Sequence, residues 1–182
     1  MRIISGTSRG RKLREPVGMD IRPTTDMVKE SVFNIIQFDI EGRRVLDLFA
    51  GTGQMGIEAN SRGAAFVTFT DASQQAVGLI KENVAACKMG GNTEIIRTDA
   101  IAFLERCGKY DVIFVDPPYD TPLLDEAVKK IIEFDILKEN GIILCESKAN
   151  RQIGGICSPY RLKKEYRYGK IKITTIIREA GE

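Results

Sequence analysis

The stretch Val45-Leu46-Asp47-Leu48-Phe49-Ala50-Gly51-Thr52-Gly53 constrains this chain most, because an apolar strand carrying one carboxylate runs directly into a glycine loop. Gly51-Thr52-Gly53-Gln54-Met55-Gly56 completes a G-x-G-x-x-G pattern between a strand and a helix, a geometry that brings backbone close to a nucleotide-derived ligand. Downstream, short β-branched runs at residues 66–71, 94–98, 111–115 and 142–145 alternate with helical patterns over 55–61, 75–87, 100–107 and 123–136. The alternation predicts βαβ units building an α/β fold, with a parallel sheet that starts at 45–50 and helices on both faces. Residues 161–168 and 170–178 read as two further strands joined at Gly169, an antiparallel hairpin that closes the sheet.

The first 44 residues have another character. Residues 2–5 and 11–14 flank Gly6 and Gly10 as a small hairpin, and a helix is expected to start near Thr24 or Thr25, with Val28, Val32, Ile35 and Ile36 inward. Within residues 1–22, Arg2, Arg9, Arg11, Lys12, Arg14 and Arg22 face only Glu15 and Asp20, whereas the chain as a whole carries a net charge of only +2. Two regions follow: a basic extension over 1–44 and one main domain over 45–182. A length of 182 residues with 43% hydrophobic content supports one substantial core. No apolar run approaches the roughly 20 residues of a membrane span, and Met1-Arg2-Ile3-Ile4-Ser5-Gly6 has no signal-peptide core, so a soluble cytoplasmic protein is expected.

Several chemistries are excluded by what the chain lacks. There is no histidine, which rules out Ser-His-Asp and Cys-His catalysis and removes the commonest transition-metal ligand. Cys87, Cys107, Cys145 and Cys157 form no C-x-x-C pair, so neither a zinc site nor a disulfide framework is expected, and no metal is needed.

The glycine loop alone fits a nicotinamide dinucleotide as well as other nucleotide cofactors. Asp47 shifts the reading. A carboxylate in an apolar strand is costly unless something satisfies it, and the ammonium of a sulfonium cofactor does so where a pyrophosphate would not. The other role open to Asp47 is to order the loop by accepting N–H groups from residues 51–53. Asp71, closing the second strand, suits the two ribose hydroxyls, and Asp99 with Ala100 suits the adenine, although Asp99 also reads as a plain helix N-cap. Phe49, Gly51, Gly53 and Ala72 complete the cofactor set, which points to S-adenosylmethionine with S-adenosylhomocysteine as product.

Asp116-Pro117-Pro118-Tyr119 follows an apolar strand and falls at the carboxyl edge of the sheet, where open α/β folds bind ligands. The exocyclic amine of a base is a poor nucleophile, since its lone pair is delocalised into the ring. Acceptance of its two N–H bonds by the Asp116 carboxylate and the Pro117 carbonyl localises that lone pair. Prolines bring no competing donor and hold φ fixed. Tyr119 is placed to stack on a flipped base, or to pack in the sheet rim. Amine methylation therefore accounts for both motifs, with Asp116, Pro117 and Tyr119 as the catalytic set.

With these residues in view, the chain resembles the RsmD family of 16S ribosomal RNA guanine-N2 methyltransferases. The resemblance rests on Arg2-Ile3-Ile4-Ser5-Gly6 with Arg9-Gly10-Arg11-Lys12-Leu13, on Arg22-Pro23-Thr24-Thr25-Asp26 with Lys29-Glu30-Ser31-Val32-Phe33-Asn34, on residues 46–53 with Gly56-Ile57-Glu58-Ala59, and on residues 116–119. It implies a seven-stranded Rossmann-like class I sheet and one guanine of the small ribosomal subunit as target. It also implies RNA contacts from Arg9, Arg11, Lys12 and Arg22, and an N-terminal segment that closes over the cofactor. The helix start at Thr24 and Thr25 suits the cofactor's carboxylate. Ser5, Met27 and Ala72-Ser73 depart from the family's usual pattern. A monomer is expected. The same tetrapeptide also serves adenine-N6 methylation of DNA or RNA, although a chain this short has little room for a DNA target-recognition region. A non-catalytic RNA-binding assembly factor is the reading from another class, and a dehydrogenase is the remaining one.

Overall fold

The computed structural model describes residues 1–16 and 26–180. Arg22, Thr24 and Thr25 therefore lie outside the described residues. The elements run α1 (Asp26–Ile35), β1 (Arg44–Asp47), α2 (Gln54–Ser61), β2 (Phe66–Asp71), α3 (Gln74–Ala86), β3 (Thr93–Arg97), α4 (Ala100–Leu104), β4 (Tyr110–Val115), α5 (Leu123–Glu133), β5 (Leu137–Lys148), β6 (Tyr160–Tyr168) and β7 (Ile171–Arg178). They build a seven-stranded sheet in the order β3-β2-β1-β4-β5-β7-β6. The first five strands in that order pair in parallel, while β7 pairs antiparallel with both β5 and β6. This is a Rossmann-like class I architecture. The chain moves outward from β1 to β3 and then returns to β4, so the direction of winding switches between β1 and β4, where such folds open a crevice.

Alternation along the strands divides the core into two layers. One face packs Val45, Val67, Phe69, Phe114 and Leu144 against α1, α2 and α3, and the other packs Leu46, Ile113, Val115 and Cys145 against α4 and α5. Helix α5 carries Leu124, Ala127, Val128 and Ile131 on its buried stripe, as its periodicity requires.

Where the structure differs from the sequence reading, the cause is local. The N-terminal hairpin is reduced to a single antiparallel bridge between Arg2 and Lys12, flanked by backbone bonds from Ile3 N to Arg11 O and from Gly10 N to Ile3 O. Leu13 N adds a bond to Met1 O, while the N–H groups of Ile4, Ser5, Thr7 and Ser8 pair with α2 and that of Arg14 with α3. Strand β1 stops at Asp47 rather than at residue 50, because the chain turns there into the glycine loop. Helix α4 ends at Leu104, three residues short of the expected limit. Helix α5 ends at Glu133 rather than at 136, since Asp135 adopts a left-handed φ of 49° and the Ile136 N–H turns back to the Ile131 carbonyl. Strand β5 begins five residues before the expected start. Its polar opening, Lys138-Glu139-Asn140, accommodates a register irregularity against β4, with Asn140 at φ 59°.

Candidate active site

Strand β1 delivers Asp47 into the interior, 4% exposed and paired in register with Phe114 of β4. Its carboxylate accepts one hydrogen bond, from the Gly56 N–H at 2.9 Å, in the first turns of α2. Burial pushes its pKa up to about 7, the Asp71 charge adds to that rise, and the Gly56 bond opposes both. A half-stabilised carboxylate of this kind is the partner that a ligand ammonium requires.

The loop beyond it is glycine-dependent. Gly51 and Gly53 have φ of 54° and 76°, and a Cβ at Gly56 would lie 2.3 Å from the Phe69 ring. The loop is ordered by Asp71, not by Asp47. One oxygen of Asp71 accepts the Gly51 N–H at 2.9 Å and the other accepts the Ser73 N–H at 2.8 Å. The loop-ordering role weighed above for Asp47 thus belongs to the acid at the end of β2, and Asp47 instead binds the helix that follows the loop. Phe49 and Ala50 span the turn between them, and the Ala50 N–H reaches the Thr70 carbonyl at 2.9 Å.

Ala72 follows Asp71, and its carbonyl accepts the Arg97 Nε–H at 3.3 Å. Ser73 takes up a specific role, capping α3 through a bond from the Ala76 N–H. Asp99 is exposed and caps α4, with the Ala102 N–H at 2.9 Å, and Ala100 is buried behind it. The plain capping role is therefore present, and it uses one of the two carboxylate oxygens.

The tetrapeptide leaves the end of β4 on the strand next to β1, with the Leu48 N–H bonded to the Phe114 carbonyl at 3.1 Å. The glycine loop and Asp116 thus share one edge of the sheet, on either side of the winding switch. Asp116 is half-buried, Pro117 buried and Pro118 exposed. Tyr119 is half-buried, and its hydroxyl donates to Glu146 Oε1 at 2.8 Å. Beside them opens a groove of about 450 Å³, lined among others by Pro117, Tyr119, Glu146, Lys148 and Arg151. Lys148 pairs with Asp120, and Arg151 with Asp125.

Glu146, Lys148 and Arg151 were not singled out in the sequence. Nothing in Leu144-Cys145-Glu146-Ser147 distinguishes a strand-end acid from a solvated one. Only the pairing of β5 with β4 brings it to the tetrapeptide.

The N-terminal cations lie elsewhere. Helix α2 starts at the glycine loop and runs back across the sheet, so its end at Ser61 marks the edge opposite the tetrapeptide, and α3 ends on that same side. The Thr7 N–H bonds to the Ser61 carbonyl, the Ser8 N–H to Ser61 Oγ, and the Arg11 guanidinium to the Ala86 carbonyl. Arg9, Arg11 and Lys12 are all exposed, with Arg11 beside the end of α3 and Lys12 in the bridge to Arg2. Closer to the glycine loop, Met1 meets Thr52 Oγ1 through its sulfur at 3.5 Å. Glu58, fully buried in α2, fastens the segment by accepting the Ile4 and Ser5 N–H groups at 2.8 and 3.0 Å and Arg62 Nε at 2.8 Å, with Lys29 at 4.0 Å.

Among the described residues no cluster of three potential metal ligands occurs, and no helix is long and apolar enough to cross a membrane.

The family model described as Conserved hypothetical protein 95 matches residues 1–177. Over 181 residues the chain is 34% identical to ribosomal RNA small subunit methyltransferase D of Escherichia coli K12, spanning 99% of this chain and 91% of that protein. It is 41% identical over 150 residues to YlbH of Bacillus subtilis, spanning 80% of this chain and 82% of that one. The solved structure of yhhF from Escherichia coli matches with a TM-score of 0.90 at 32% identity, covering 100% of this chain and 99% of that one. Sequence blocks, sheet order and relatives agree: the chain belongs to the RsmD family, that of ribosomal RNA small subunit methyltransferase D.

Proposed function

We propose that this methyltransferase transfers a methyl group from S-adenosylmethionine to the exocyclic N2 amine of a guanine in the 16S rRNA of the small ribosomal subunit. The observation that carries the reading is the pairing of β1 with β4, which sets the buried Asp47 and the Asp-Pro-Pro-Tyr segment on neighbouring strands at one sheet edge. The residues fit the cofactor by their donor set: Asp47 for its ammonium, Asp71 for its ribose, Asp99 and Ala100 for its adenine, and the Gly51–Gly53 backbone with Phe49 and Ala72 around them. S-adenosylmethionine, when bound, supplies an electrophilic methyl group and leaves as S-adenosylhomocysteine.

The chain's own part is to hold and activate the amine. Asp116 and the Pro117 carbonyl accept its N–H bonds, so that the nitrogen pyramidalises and its lone pair is withdrawn from conjugation with the ring, and Asp116 or water then takes the surplus proton. Tyr119 offers a ring on which the base can stack, an interaction of roughly 1–3 kcal/mol. Water-accessible carboxylates suffice for this proton transfer, which accounts for activity without an imidazole. Arg9, Arg11 and Lys12 give the RNA backbone a cationic contact remote from the target base.

Labelled S-adenosylmethionine supplied with small ribosomal subunits, with naked rRNA and with duplex DNA tests the proposal, the product nucleoside being identified by mass spectrometry. N2-methylguanosine in 16S rRNA is expected. N6-methyladenosine would sink the guanine reading. Asp116→Ala is expected to lower turnover by at least about 100-fold with cofactor affinity nearly intact. Substantial residual turnover would refute the role given to Asp116.

A further inference from the structure

Glu146 stands in the groove without a part in the chemistry described above. The last register pair between β4 and β5 is Val115 with Cys145, so Asp116 and Glu146 are each one residue further along neighbouring parallel strands, which run about 4.8 Å apart. Cys145 faces the α4–α5 layer, and Glu146 therefore faces the other way, in register with Ile173 on the layer that also holds Phe114 and Leu144. Its carboxylate is half-buried, lines the groove with Pro117 and Tyr119, and takes the Tyr119 hydroxyl at 2.8 Å. A carboxylate carries about four lone-pair sites, so the Tyr119 bond does not by itself exhaust what it can accept.

The base edges differ in what they would present there. Guanine carries the N1–H donor directly beside its N2 amine. Adenine and cytosine carry a ring-nitrogen acceptor beside theirs, and an acceptor held against a carboxylate is repelled. Two acceptor groups side by side, one for the amine and one for its neighbour, match guanine alone.

We propose that Glu146 is the specificity-determining residue of this site, accepting the N1–H of the target guanine while Asp116 and Pro117 hold its amine. This rests on the reading of the target as a guanine amine. The role is separable from support of Tyr119, because glutamine at 146 keeps an oxygen for that hydroxyl while offering the base an N–H in place of an acceptor.

The test uses small subunits reconstituted on rRNA ligated so that the methylated nucleotide is either guanosine or 2-aminoadenosine. The latter keeps the 2-amine but has an acceptor at N1. Wild-type enzyme is expected to favour guanosine by at least about 30-fold in kcat/KM, as a site built around a hydrogen bond does. In Glu146→Gln that ratio is expected to fall at least tenfold, or to invert. Equal turnover of the two substrates by the wild type, a measurement that needs no folded variant, would overturn the inference. So would a Glu146→Gln enzyme that loses rate equally on both, which is the signature of Tyr119 support alone. If the wild type transfers nothing to guanosine but methylates another base, the guanine reading itself falls, and the inference with it. A wild type active on guanosine with an unchanged ratio in the variant removes only Glu146.

Discussion

Asp47 is a carboxylate buried within an apolar strand, and the cost of that position governs how it titrates. Its pKa, pushed up to about 7 by burial, means that the folded chain holds the proton more tightly than the unfolded chain, whose carboxyl titrates near 3.8. The stabilising contribution of the protonated form is complete below pH 4 and is lost as the pH rises through about 7. Asp47→Asn cannot ionise and keeps an oxygen for the Gly56 N–H. At pH 8 it is expected to be more stable than the wild type by roughly 1–4 kcal/mol, with the difference shrinking towards pH 4, as measured by denaturant titration of the ligand-free protein. The same variant is expected to bind S-adenosylmethionine at least about tenfold more weakly, having lost the charge opposite the ammonium. A variant no more stable at pH 8 would show that Asp47 is better solvated than its burial implies. The acid stands out in the sequence as a candidate site residue because it interrupts an apolar strand. Asp71 reads in the sequence as a candidate ribose-binding acid and not as the group that orders Gly51, because side-chain bonds to a loop twenty residues away leave no local trace.

At the scale of elements, the strands and helices were readable wherever hydrophobic period and glycine or proline punctuation agreed, as in β2, β4 and α5. The reading failed at ends, where tertiary bonds decide. The end of α5 shows why. Asp135 accepts Arg178 Nε at 2.7 Å, Lys109 Nζ at 2.6 Å and the Tyr160 hydroxyl at 3.0 Å, joining the helix end to the starts of β4 and β6 and the end of β7. Arg178 foremost, then Lys109 and Tyr160, hold its carboxyl well below the usual carboxylate range despite an opposing desolvation cost. A depressed folded-state pKa contributes stability above about pH 4 that is lost as the pH falls. Asp135→Asn, which tolerates the left-handed backbone, is expected to cost roughly 1–2 kcal/mol at pH 7 after allowance for solvent screening and markedly less only at about pH 2, as the pH falls towards the depressed folded-state value. Parallel denaturation curves at the two pH values would show it. A pH-independent loss would assign the effect to packing instead.

For the molecule as a whole, the basic extension and the main domain looked distinct in composition, yet Ile3, Leu13, Val28, Phe33 and Ile36 belong to the same apolar layer as β1 and β2. Charge patterning cannot reveal such sharing, because the buried residues are spaced between the cations. The extension holds the exposed Arg11 beside the end of α3, on the side of the sheet away from the tetrapeptide. Replacing Arg9, Arg11 and Lys12 by alanine is expected to weaken RNA binding, and to reduce the slope of log affinity against log salt by about 2–3, while kcat at saturating RNA changes little. Anisotropy titrations over a salt series would measure it, and an unaltered slope would exclude these side chains from the RNA contact.

The insertion of β7 between β5 and β6 has one more consequence, because it leaves β6 as an outer strand bearing Arg161, Lys163, Lys164 and Arg167 in a single stretch. A second copy docking its own β6 there would lay cation rows against each other and strip water from them. The open side of the sheet is in this way barred from growing into a fibre by the residues that finish it.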